Sequence, residues 1–135
     1  MHLRNPSADR IRRGQAILEM GVLLAFLTLL FLGLVDVGFL FDRALRLENA
    51  ARQGLRLAVT GCSEADIVAS IQSAAIGLNV SNLSWDITPV VGDPEWEPGA
   101  VVTVQVWYTT RPPLKLPGIF NDPLTITIRH KGKIL

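Results

Sequence analysis

From Met20 to Val35 no residue is charged, and with its flanks Ala16 to Phe41 forms one apolar stretch broken only by Glu19 and Asp36. At about 1.5 Å per residue, the 21 steps from Gln15 to Asp36 cover roughly 32 Å, against a hydrocarbon core of about 30 Å. The segment therefore predicts a membrane-spanning helix over residues 15–41, with Glu19 just inside one interface and Asp36 near the other. The 135-residue chain leaves room for one small domain besides this anchor.

Charge sets the direction of the span. Arg4, Arg10, Arg12 and Arg13 precede it, opposed by Asp9 alone, which places a leader of residues 1–14 in the cytoplasm and the domain 42–135 outside the inner membrane. Without the leader the chain keeps nine basic and eleven acidic residues, so the slight basic balance of the whole belongs to the leader and nucleic-acid binding is not expected. A secretory signal peptide is the competing reading. Its apolar region runs about 7–15 residues and ends in a small-x-small site; this run is longer and no Ala-x-Ala follows it. A plain, uncleaved signal anchor remains the alternative.

Glu19 is the informative residue of the span. A carboxylate entering a membrane helix is unfavourable unless something pairs with it. A cut after Gly14 would leave an α-ammonium on Gln15, four residues away and on the same helix side. In a bundle of such helices Glu19 of one subunit could neutralise the N-terminus of its neighbour, and a polar pair of that kind fixes axial register more than it adds stability. The alternative is an acid solvated in the headgroup zone.

Beyond Phe41 the helix continues without a breaker. Ala44, Leu47, Ala51, Leu55 and Ala58 fall at the 3–4 spacing of one face, with Arg46, Asn49, Arg52, Gln53 and Arg56 on the opposite arc. Asp42 with Arg46 and Glu48 with Arg52 are acid-to-base pairs four apart. A single helix over about 16–59 follows, apolar and then amphipathic, stopped at Gly61 as its C′ residue. Ser63 caps a short second helix with Glu64 and Asp66 in the first turn and an apolar face of Ile67, Ile71 and Leu78, ending near Gly77. After Asn79 the period becomes two. Leu83, Trp85 and Ile87, then Val102, Val104, Val106 and Tyr108, then Leu124, Ile126 and Ile128 alternate with polar residues and predict three strands. The fold class is α+β: a long transmembrane-to-amphipathic helix, a short second helix, and a small three-stranded antiparallel sheet packed on the helices.

Chemistry-bearing constellations are sparse. His130 has no second His or Cys beside it and reads as a solvated strand residue, so zinc and Cys/His or Ser/His nucleophile sites lack parts. Asp93, Glu95 and Glu97 read as an acidic surface turn; a membrane-tethered hydrolase using them is the weakest reading. Cys62 alone makes no disulfide within the chain and reads as a small residue buried beside the helix turn, the alternative being a thiol that cross-links subunits. No cofactor is implied, and the chain reads as a non-enzyme.

The order of a basic leader, Gly14, Glu19 and an apolar helix resembles a class III signal segment of the type IV pilin superfamily. More closely, Gly14-Gln-Ala-Ile-Leu-Glu19, Gly33-Leu-Val-Asp-Val-Gly38 and Asn49-Ala-Ala-Arg-Gln-Gly-Leu-Arg56 are similar to TadE-like pseudopilins of tight-adherence pilus systems. The alternating Val104-Gln-Val-Trp-Tyr with Pro112-Pro113 matches their C-terminal pattern more loosely. The resemblance implies a minor pilin or pseudopilin that helps prime or cap a surface adhesion pilus. A membrane prepilin peptidase would cut it between Gly14 and Gln15. Its expected partners are other pilins and the inner-membrane assembly platform. Gly33, Asp36 and Gly38 would be its transmembrane acid motif, and Arg46, Arg52 and Arg56 either subunit contacts or a solvated face. The chain departs from the family where Ala25 replaces a proline, where Phe39 stands at a basic position, and where Gln15 is not the phenylalanine commonly methylated. The rival to this reading is an uncleaved single-span exported domain that binds a protein or cell-wall partner through tryptophans. Of these, Trp85 is expected in the core and Trp96 exposed on the acidic turn.

Overall fold

The computed structural model describes residues 6–111 and 122–135, with side chains from Gly14 onward. The Pro112-Pro113 stretch lies outside the described residues. The element order is α1 (Pro6–Val59), α2 (Glu64–Ala74), a 3-10 turn (Val80–Asn82), β1 (Leu83–Thr88), β2 (Val101–Thr110) and β3 (Leu124–Lys133), the α+β class expected. Helix α1 begins ten positions earlier than the apolar pattern implied, at Pro6. A proline suits the first helical position because its missing N–H would have no helical partner there.

The chain divides into two compact units, Met1–Val37 and Gly38–Leu135, with α1 contributing to both. In the first unit the described side chains are mostly exposed and apolar: Ile17, Val22, Phe26 and Phe31 each show more than 60% of their surface. From Gly14 to Val59 the helix is long and apolar enough to cross a membrane.

In the second unit the end of α1 becomes a core element. Leu47, Ala50, Ala51 and Ala58 of α1 are buried with Ile67 and Ile71 of α2, Leu83 and Ile87 of β1, and Val102, Val104, Val106 and Tyr108 of β2. The sheet is an antiparallel meander in the order β1-β2-β3, with Leu83 opposite Tyr108, Trp85 opposite Val106, and Val104 opposite His130. One face is covered by the helices and the other carries polar residues, so the period-two alternation was a direct image of the layer structure. Burying Leu47 completely, as here, contributes on the order of 2 kcal/mol.

Glycine decides how closely the layers approach. A Cβ on Gly54 would stand 2.6 Å from Ile71 Cγ1 and 3.5 Å from Val104 Cγ1. A Cβ on Gly132 would stand 2.7 Å from Val59 Cγ2. The α1–α2 and α1–β3 crossings both use the missing side chain.

The helix ends follow their sequence signals. Gly61 has φ +74; the Cys62 N–H donates to Leu57 O at 3.2 Å and the Gly61 N–H to Ala58 O at 3.1 Å. Those two bonds form the Schellman motif that the glycine implied. The Leu135 N–H then donates to Val59 O at 2.9 Å, so the chain's C-terminal residue satisfies another carbonyl of the last turn. At α2, Ser63 Oγ accepts from the Asp66 N–H at 3.3 Å and donates to Asp66 Oδ2 at 2.6 Å. The helix proper stops at Ala74, three residues short of Gly77, because Ala75 already leaves the helical region (ψ 35).

Two expectations are corrected. His130 is not a solvated residue: strand alternation continues past Arg129 and turns it inward, where its Nε2 lies 3.0 Å from Glu48 Oε1. Trp96 is not an exposed ring on an acidic turn. Its backbone N–H bonds Asp93 O at 2.8 Å, and its side chain is half-buried against the core.

Candidate functional site

The proposed cut site and the acid beyond it sit on one open helix. Gly14, Gln15 and Glu19 are all exposed, and a Cβ added at Gly14 would meet nothing within 4 Å among the described residues. Among the described residues, then, no neighbour demands glycine at position 14. Gln15, Leu18, Glu19, Val22, Leu23 and Phe26 border one shallow surface depression, so the position that a cut would make N-terminal and the carboxylate four residues on share a helix side.

The Gly33–Gly38 motif behaves differently at its ends and its centre. Both glycines are free of neighbours at the Cβ position among the described residues. Asp36 between them is buried, only 1% exposed, and it is engaged rather than alone, while Leu34, Val37 and Phe39 beside it are at least half exposed.

The polar arc of α1 divides once its partners are seen. Arg46 donates through Nε to Asp42 Oδ2 at 2.8 Å and through Nη1 to Ile76 O at 2.6 Å, bracing the exit of α2. The hydrogen bond that Arg46 donates to Asp42, more than that carboxylate's charge, holds the guanidinium above its ordinary value. Arg52 donates to Glu48 Oε1 at 2.9 Å and keeps 68% of its side-chain surface exposed; Arg56 is exposed. Arg52's bond, followed by that of His130, lowers the Glu48 carboxyl below its usual value against the opposing effect of desolvation.

Arg43 was not singled out by periodicity. Its Nη1 donates to Thr110 Oγ1 and to Arg111 O, tying α1 to the end of β2 and giving the buried Thr110 hydroxyl a partner. Only the unremarkable threonine at the end of an apolar strand hinted at it. Among the described residues no group of three His, Cys, Asp or Glu side chains is placed to hold a metal ion.

The family comparison covers this same helix. Residues 14–56 match the family model described as TadE-like protein. This segment is TadE-like. The matched region begins at Gly14, runs through Glu19 and the Gly33–Gly38 motif, and ends at Arg56 after the arginine arc. The family is associated with Tad pili and is structural in character. The TadE-like match thus falls on the helix that is long and apolar enough to cross a membrane. No curated protein and no solved structure matches the chain.

Proposed function

We propose that the chain is a minor pilin-like subunit, a pseudopilin, that a prepilin peptidase cuts between Gly14 and Gln15 at the cytoplasmic face of the inner membrane. Residues 15–41 then span the bilayer once, with the head 42–135 outside. The observation that carries this reading is the coincidence of three features at one point: the TadE-like match opens at Gly14, no described residue crowds that glycine's Cβ position, and an exposed carboxylate follows at the fifth position after it.

The physical logic is pairing. After the cut, Gln15 carries an ammonium and Glu19 a carboxylate in low dielectric. Each is unfavourable alone and each stabilises the other across a subunit boundary. Gly33 and Gly38, open on their helix surface, let a second helix approach closely, as small residues do in membranes. Arg52 and Arg56 remain the candidates for contact with neighbouring subunits, since Arg46 is already occupied within the head. The partners are other pilus components and the assembly platform, and the role is to prime or cap a surface pilus.

Co-expression with a prepilin peptidase, followed by intact-mass measurement, tests this. Loss of residues 1–14 is the expected result. Retention of the leader under conditions that process a known pilin would overturn the reading in favour of an uncleaved anchored domain.

A further inference from the structure

The outer face of the sheet takes no part in the core, yet it carries one large aromatic residue. Trp85 and Trp96 pack against the core. Trp107 does not: it lies on the opposite face of β2, half-buried, with Ser84 of β1 and Thr127 of β3 abreast of it. In the adjacent row Gln105 separates Asp86 from Arg129. Arg129 donates from Nε and Nη2 to the single Oε1 of Gln105 at 2.9 and 2.6 Å. A neutral amide orients a guanidinium without cancelling its charge, so Arg129 is a fixed cation diagonal to the indole. Lys131 and Lys133, both exposed, continue the row along β3 at intervals of about 6.7 Å. The one acid of the strands' described residues on this face, Asp86, lies across the sheet and accepts from Thr88 Oγ1 on its own strand at 3.0 Å.

We propose that this face binds an acidic polysaccharide. The apolar side of a sugar ring stacks on Trp107, its hydroxyls meet the threonines, serine and Gln105, and its carboxylates meet Arg129, Lys131 and Lys133. Charge complementarity selects the anionic glycan over a neutral one. The composition disfavours a protein partner: protein interfaces have an apolar centre of several aromatic or aliphatic groups, and here one ring and the more distant Val101 stand among hydroxyls and charges. The proposal does not depend on cleavage at Gly14, so each can fail without the other.

The test uses the full chain in neutral-detergent micelles and immobilised alginate, with dextran as the uncharged control, in about 0.15 M salt. Wild type is expected to bind alginate and not dextran. Trp107→Ala and, separately, Arg129→Ala with Lys131→Ala should each weaken binding about tenfold or more, with Trp107→Tyr recovering part of it and far-UV circular dichroism unchanged in all. Equal retention on dextran, or wild-type binding by both Ala variants, would overturn the proposal. So would a dimer in sedimentation velocity that Trp107→Ala dissociates while alginate binding is absent, which would make the face a contact between copies of this chain.

Discussion

Two sets of glycines in one helix-based fold obey different constraints. Gly54 and Gly132 lie in the head, where an added Cβ would run into Ile71 or Val59 at under 3 Å; their side chains are missing because the fold needs the space. Gly14, Gly33 and Gly38 lie on or beside the apolar part of α1, where an added Cβ meets nothing among the described residues. No described residue needs that space. The same residue type thus reports packing within the molecule in one region, while in the other it leaves an open surface that the proposed function assigns to contact with other subunits. The flanking side chains agree: Leu47, Ala50 and Ala51 are wholly buried, whereas Ile17, Leu24 and Phe31 are about two-thirds exposed or more.

Substitutions can separate the two regions. The largest effect is expected at Gly14→Val, which should abolish removal of residues 1–14 in the mass assay while leaving the melting temperature of the head unchanged. A shift in that temperature would give Gly14 a structural role and break the comparison. Gly54→Val is its mirror image. It should be processed normally yet lose about 1–3 kcal/mol of stability in urea titration followed by near-UV circular dichroism, because Ile71 Cγ1 sits near the stem of its side chain and cannot swing aside; an unchanged midpoint would disprove the tight crossing.

Glu19→Ala comes next. Cutting should continue but incorporation into pili, measured by quantitative blotting of sheared fibres, should fall several-fold; normal incorporation would remove the pairing idea. The smallest effect concerns Glu48. Its carboxyl is lowered below the ordinary 4.5 in the folded state, so the stability it contributes is present above that value and fades as pH falls through the folded-state value beneath it. Glu48→Gln should therefore flatten the loss of stability below about pH 4.5 and leave the neutral-pH melting curve nearly in place; a steep acid limb in the variant would assign that loss to other carboxylates.

Much of this was legible because local periodicity reports local environment. The change from a period of 3.6 to 2 after Asn79 marked the passage from helices to sheet, and the Gly61 and Ser63 signals located a C-terminal and an N-terminal cap that the backbone bonds bear out. Alternation also placed Trp85 inward. It failed for His130 only because the apolar pattern stopped at Ile128 while the strand ran on to Lys133; continuing the count would have turned the imidazole toward α1. Trp96 escaped for another reason. It belongs to a turn, and a turn has no period from which burial can be inferred.

What the chain's own letters determined is the set of properties that neighbours in sequence impose on one another: a charge-free helix of membrane length, its amphipathic continuation, the caps, and the alternating strands. Folding in three dimensions decided which polar groups meet across long separations. It set Arg43 on Thr110, Arg46 on Ile76 O and Glu48 on His130, withdrew Asp36 from solvent, and sorted the glycines into those that fill a crossing and those that leave one open. Such pairings depend on distances between residues tens of positions apart, and no short-range pattern encodes them.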